Sequence, residues 1–121
     1  MEQNNPSKNW VKSRLPAWDR GAALAATAGD ENLAGELLEA LLLGLPADLS
    51  RLKELLQARD WLGIDDAAHR MRGATAYCGA PALDRALEKL KEAARTTDEG
   101  RILRSLEQVE LEAERLRAAV T

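Results

Sequence analysis

The feature that most constrains the fold is a series of leucines spaced three or four residues apart. Its members are Leu33, Leu37, Leu41, Leu45, Leu49, Leu52 and Leu56. Side chains at this spacing lie on one face of an α-helix, and no segment alternates polar and apolar residues over the length of a strand. Because the apolar residues are mostly Leu and Ala, which are strong helix formers, the sequence predicts an all-α fold.

Glycine, proline and aspartate residues mark where the first helices begin and end. A short helix is expected over residues 19–28, with Gly29 as a left-handed residue that ends it. Asp30 then caps the long leucine-rich helix. Gly44 and Pro46 interrupt that helix, and since proline removes a helical hydrogen-bond donor, the helix should be either kinked or split in two.

Three further segments complete the predicted architecture. A helix over residues 61–78 should end at Gly79, and Pro81 suits the first turn of the next helix. Residues 96–99, Thr-Thr-Asp-Glu, have the form of a capping box that starts a last helix near the C-terminus. Short connections favour antiparallel neighbours, so we expect an up-down four-helix bundle with an additional short N-terminal helix.

The length and composition limit the domain organisation and the classes of function. Residues 1–16 are polar and should form a flexible arm, and residues 17–121 should form one domain. The net charge of −3 gives no general reason to expect nucleic-acid binding, which needs a concentrated basic surface. A single cysteine, Cys78, allows neither an internal disulfide nor a thiolate zinc site. The longest apolar run, residues 37–46, is too short to span a bilayer, so we expect a cytoplasmic protein without membrane insertion.

The only histidine, His69, lies on the outer side of the predicted 61–78 helix. The buried stripe of that helix should consist of Ile64, Ala68, Met71, Thr75 and Cys78. At about 100° per residue, His69 lies roughly 140° from the middle of that stripe. A histidine of the core would belong to the stripe, so His69 is expected to point toward solvent.

The residues that share the outer face with His69 suggest what it does. Arg72 follows three positions later and is a permanent cation that can pair with a phosphoryl oxygen. Gly73 lowers helix stability by about 1 kcal/mol relative to Ala, but it leaves open space beside the imidazole. The small side chain of Ala76 leaves the surface of the next helical turn free of protruding groups. Asp65 and Asp66 are expected to be solvated charges of the same face.

An exposed imidazole can act as a phosphoryl carrier without further groups of its own. It offers an unprotonated ring nitrogen at neutral pH, which can accept a phosphoryl group and release it again because the phosphoramidate is labile. The sequence contains no motif of a nucleotide-binding loop. We therefore expect a carrier without its own ATP site rather than an enzyme that uses ATP.

The residues around His69 resemble a known signature. Ala68-His69-Arg70-Met71-Arg72-Gly73, followed by Gly79 and by Gly79-Ala80-Pro81-Ala82-Leu83, is similar to the motif of histidine-containing phosphotransfer (Hpt) domains. The resemblance extends from about residue 18 to residue 120. The segment 73–79 is most similar to the Hpt modules of BarA/GacS-type hybrid sensor kinases.

This resemblance implies a function and a role for each matching position. His69 would accept a phosphoryl group from a receiver-domain aspartate and pass it to a response regulator. Arg72 would help to balance the phosphoryl charge, and Gly73 and Ala76 would complete its surroundings. No metal or cofactor site is implied here, since Mg²⁺ belongs to the partner receiver domain. The protein is expected to be a monomer, and its receivers should dock around His69, with Leu24, Ala25 and Ala76 contributing.

Other functions stay open at this point. A lone histidine on a helix is often only a surface residue, and the chain would then be a non-catalytic helical adaptor that binds a signalling protein without accepting phosphate. Exposed leucines would also allow the bundle to dimerise. A metal-binding bundle is disfavoured, because one histidine cannot supply the paired Glu-x-x-His pattern of such sites.

Overall fold

The computed structural model describes residues 15–120, which over that range form five α-helices and no strand. We number them α1 (Arg20–Ala26), α2 (Glu31–Gln57), α3 (Trp61–Cys78), α4 (Pro81–Thr96) and α5 (Glu99–Val120). Helix α3 packs against α2 and α4, and α5 packs against α4 and α2, while the short α1 lies on α3 and α2. The predicted all-α bundle with an additional N-terminal helix is confirmed.

Aspartates begin the first three helices. The side chains of Asp19, Asp30 and Asp60 each accept a hydrogen bond from the backbone N–H three residues later, at 2.9–3.0 Å. Each carboxylate thereby satisfies one of the free N–H groups of a first turn. The expected cap at Asp30 is confirmed.

Pro46 lies inside one continuous α2. Of the two possibilities left open by the sequence, a split into two helices is excluded. The missing donor of Pro46 is outweighed by core contacts on both sides of it, since Leu41, Leu45 and Leu52 are all buried.

The junction between α4 and α5 differs from the expected capping box. Thr96 is not an N-cap; it is the last residue of α4, and its hydroxyl donates to the carbonyl of Ala93 at 2.6 Å. Thr97 follows with a left-handed φ of 56°. The cap of α5 is Asp98, which accepts from the backbone N–H of Arg101 at 3.2 Å. Burial of Ala93 and Ala94 against the core continues α4 through the predicted start of the box.

The turn at Gly79 holds α1 on the site-bearing helix. Gly79 has a φ of 71°, and its carbonyl accepts the backbone N–H of Asp19 at 2.7 Å. A Cβ at Gly79 would collide with the backbone of Asp19, so both the left-handed turn and the close approach of α1 require glycine. Helix α1 itself ends at Ala26, two residues before the expected end, and Ala28 and Gly29 both have positive φ.

The core lies between the four long helices and includes the inner face of α3. All five residues of the predicted stripe, Ile64, Ala68, Met71, Thr75 and Cys78, are buried. Trp18 and Trp61 are partly buried against the same core. None of the helices within residues 15–120 is long and apolar enough to cross a membrane. The predicted flexible arm, residues 1–16, lies almost entirely outside the described residues.

Candidate functional site

His69 is held on the outer face of α3 by the burial of the opposite face. Its neighbour Ala68 is fully buried and Met71 is 7% exposed, whereas His69 itself is exposed. The rotation of α3 about its axis is therefore set by the core. This arrangement presents the imidazole to solvent on a rigid helix.

The surface next to the imidazole is open. Gly73 lies one turn after His69, and a Cβ built on it would meet nothing within 4 Å. Ala76 is exposed one turn further along, and Leu62, two turns before His69, is 83% exposed. A phosphoryl group or the surface of another protein can reach His69 along this face without displacing side chains of α3.

Arg72 is engaged by a carboxylate of the neighbouring helix. Its Nε and Nη2 atoms donate to Oδ1 and Oδ2 of Asp84 on α4, at 3.2 and 3.1 Å. The hydroxyl of buried Thr75 donates to the same Oδ1 at 2.8 Å. The hydrogen bond to Asp84 raises the pKa of the Arg72 guanidinium, against the opposing effect of partial burial. Arg72 thus links α3 to α4 through two hydrogen bonds. Its role in balancing the charge of a phosphoryl group stays a prediction.

The cation next to the imidazole comes from a different helix. Nζ of Lys91 on α4 lies 3.3 Å from Nδ1 of His69. One turn later on α4, Nε of Arg95 donates to Oδ2 of Asp65 at 3.1 Å. Asp66 pairs with Arg70 at 3.4 Å on α3 itself. Both aspartates therefore form ion pairs; Asp66 is exposed, as expected for a charge of a solvated face, whereas the side chain of Asp65 is only 23% exposed.

Cys78 lies in the core, on the face of α3 opposite to His69. Cys78 is buried, its thiol donates to the carbonyl of Leu37 at 3.3 Å, and burial raises the pKa of that thiol. Its place in the core agrees with the spacing of the α3 stripe. Within residues 15–120, no three or more His, Cys, Asp or Glu side chains are grouped so as to hold a metal ion.

The comparison with known proteins agrees with the site. The family model of the Hpt domain matches residues 36–119, which is more than half of the chain and contains His69 and its surroundings. The chain belongs to the Hpt domain family.

Relatives of this Hpt domain occur within sensor proteins. The sensor histidine kinase GacS of Pseudomonas protegens is 36% identical over 75 residues, which cover 62% of this chain and 8% of GacS. The virulence sensor protein BvgS of Bordetella bronchiseptica is 38% identical over 78 residues, covering 64% of this chain and 6% of BvgS. The chain thus spans only a small part of these relatives.

A solved structure has the same fold. The crystal structure of the Hpt domain of a sensor hybrid histidine kinase from Shewanella superposes with a TM-score of 0.69, over 86% of this chain and 93% of that chain. The sequence identity is 23%, so this likeness supports the fold of the Hpt domain and not its partners.

Three residues of the site, Leu62, Lys91 and Asp84, were not anticipated from the sequence. Leu62 lies seven positions before His69 and could have been found on the helical wheel, because a shift of seven residues returns to nearly the same face. Lys91 and the Arg72 partner Asp84 depend on how α4 is placed against α3. Leu24 of α1 is half-buried and Ala25 is exposed, so both remain candidates for the docking surface of the Hpt domain.

Proposed function

We propose that this Hpt domain carries a phosphoryl group on His69 in a His-Asp phosphorelay. The group would come from the aspartyl phosphate of a receiver domain and pass to a response regulator. The observation that supports this most strongly is the exposed imidazole on a helix whose opposite face is buried, with open surface at Gly73. A histidine retained only as a surface residue would need neither the mid-helix glycine nor the cleared face.

The chemistry needs little from the Hpt domain beyond the nucleophile. A lone pair of an imidazole nitrogen attacks phosphorus, and the receiver carboxylate leaves with the electron pair of the acyl O–P bond. The product is a phosphoramidate, which reacts in the reverse direction with the next aspartate. In this proposal, Mg²⁺ and the groups that orient the phosphoryl belong to the receiver, and the Hpt domain is a carrier that needs no ATP site or cofactor of its own.

The docking surface is proposed to include both sides of His69. Leu62 and Ala76 are apolar and exposed two turns before and two turns after it, and Tyr77 is 58% exposed beside Ala76. Exposed apolar and aromatic side chains of this kind are typical of the buried part of protein interfaces. We further propose that the Hpt domain acts as a monomer, because one exposed histidine face suffices for sequential docking of two receivers. We also propose that it acts in the cytoplasm.

Transfer through a panel of receiver domains tests the proposal. Each receiver is charged with acetyl phosphate, mixed with the Hpt domain, and removed before a second, uncharged receiver is added. We expect acid-labile, base-stable label on the Hpt domain, followed by base-labile label on the second receiver, and no uptake by His69→Gln. Binding of a receiver equally well to wild type and His69→Gln, with no label on either, would instead support the adaptor function.

A further inference from the structure

The contact between Lys91 and His69 favours one of the two tautomers of the neutral imidazole. An ammonium group has three donors and no acceptor, and a neutral imidazole has one nitrogen that donates and one that accepts. At 3.3 Å from Nζ of Lys91, Nδ1 of His69 must be the acceptor. This contact therefore favours the tautomer whose proton is on Nε2, the nitrogen that Lys91 does not contact.

This tautomer is not the one that attacks phosphorus. Attack through Nε2 requires its lone pair, so the proton must first move through water to Nδ1, which breaks the hydrogen bond from Lys91. After attack, the Nε2–P bond has formed, the acyl O–P bond has broken, and the receiver carboxylate has left with its electrons. The proton on Nδ1 then leaves to water, and the free lone pair of Nδ1 again accepts from Lys91.

We propose that Lys91 is a positioning residue that keeps Nδ1 of His69 as a hydrogen-bond acceptor. It thereby stabilises the phosphorylated ring, whose Nδ1 is unprotonated, relative to the tautomer that attacks phosphorus, whose Nδ1 carries the proton. This inference rests on the proposed phosphoryl-carrier function. Phosphohistidine loses its phosphoryl group faster when Nδ1 is protonated, because the ring is then a better leaving group. The positive charge and the hydrogen bond of Lys91 both oppose that protonation, so Lys91 prolongs the life of the phosphorylated state.

The other charged groups near this face are engaged elsewhere. From α3, Arg72 pairs with Asp84, Asp66 pairs with Arg70, and Asp65 pairs with Arg95 of α4. The remaining carboxylates on this side of α4, Glu88 and Glu92, act electrostatically on Arg72. Among the charged groups of residues 15–120, Lys91 is the one that contacts the ring, so its removal should alter the ring without rearranging the ion pairs around it.

The first measurement is the tautomer of His69 in the unphosphorylated protein, from the imidazole ¹⁵N shifts at mildly alkaline pH. We expect the Nε2–H tautomer to predominate in the wild type. Lys91→Glu should shift the ring toward the Nδ1–H tautomer, because a carboxylate can only accept. Lys89→Gln is the matched control: it removes an exposed lysine of the same helix and should leave the tautomer unchanged.

The second measurement is the rate of phosphate loss after phosphorylation with phosphoramidate, which transfers its phosphoryl group to an imidazole nitrogen and releases ammonia. Lys91→Met, which removes both the charge and the donor, should lose phosphate roughly two- to fivefold faster than wild type, as expected for one partly exposed charged hydrogen bond. The matched control Lys89→Met should behave like wild type. Equal rates for Lys91→Met and wild type, or an unchanged tautomer in Lys91→Glu, would overturn the inference. Neither measurement uses a receiver, so failure of the relay itself would be seen separately.

Discussion

Two contacts join α3 to α4 beside the histidine, and they differ in almost every respect. Arg72 and Asp84 form a two-pronged ion pair whose side chains are 30% and 27% exposed, and Thr75 adds a third hydrogen bond from the core. Lys91 meets the exposed His69 through a single contact of 3.3 Å. The first contact is built from several hydrogen bonds at the edge of the core, and the second is a solitary contact to a reactive ring.

The difference shows that the cation of a sequence motif and the cation of a site need not be the same residue. Arg72 matches the basic position of the Hpt signature, yet its guanidinium is committed to Asp84. Lys91 belongs to no motif, yet it contacts the imidazole. We infer that the Arg72–Asp84 contact mainly stabilises the bundle, whereas the Lys91–His69 contact mainly affects the chemistry of the ring.

The largest effect on stability is expected from Asp84→Ala. It removes the acceptor of both Arg72 hydrogen bonds, while the Thr75 hydroxyl retains an alternative acceptor in the Arg72 carbonyl at 3.1 Å. We expect the free energy of unfolding to fall by about 1–2 kcal/mol, measured by urea denaturation.

Asp66→Ala is the control for Asp84→Ala, because it breaks an ion pair of α3 whose two side chains are about two-thirds exposed. Its effect should stay within about 0.5 kcal/mol. Equal losses in the two variants would show that the Arg72–Asp84 contact is no more structural than an ordinary surface pair.

Gly73→Gln should change stability and transfer in opposite directions. Nothing lies within 4 Å of a Cβ at this helical position, so the substitution should stabilise the protein by about 0.5–1 kcal/mol. The longer side chain fills the space beside His69, and we expect phosphate uptake from a charged receiver to slow by roughly tenfold.

Gly35 offers a matched position for Gly73, since it is an exposed glycine within α2 and also has nothing within 4 Å of a built Cβ. Gly35→Gln should give a similar gain in stability with unchanged uptake. If Gly73→Gln also left uptake unchanged, the open space beside His69 would have no role in transfer.

The smallest effect on stability is expected from Lys91→Gln. A single contact between partly exposed groups contributes little to folding, so the free energy of unfolding should change by less than about 0.5 kcal/mol. A loss as large as that of Asp84→Ala, again by urea denaturation, would remove the distinction between the two contacts.

The sequence predicted the outer face of α3 well because that face depends on one helix alone. The burial of Ile64, Ala68, Met71, Thr75 and Cys78 follows from the helical period, and it places His69, Gly73 and Ala76 on the opposite side. The contacts of Arg72 and His69 depend in addition on how α4 is rotated about its axis and shifted along it relative to α3. No local spacing encodes that relation, so Asp84 and Lys91 were not anticipated.

The errors at helix ends have a similar origin. The pattern at residues 96–99 fits a capping box, but burial of Ala93 and Ala94 carries α4 through Thr96 and moves the cap of α5 to Asp98. At Pro46, local sequence alone left open a split that core packing on both sides prevents. Local signals thus compete with tertiary packing, and packing decides where the two disagree.

Mapping the phosphorylated residue would show whether His69 carries the phosphoryl group. The Hpt domain would be labelled by a charged receiver, digested under alkaline conditions that preserve phosphohistidine, and sequenced by mass spectrometry, with His69→Gln treated in parallel. We expect phosphate on His69 and none on the variant, with both proteins equally folded by circular dichroism. Phosphate on another residue, or equal labelling of His69→Gln, would contradict it.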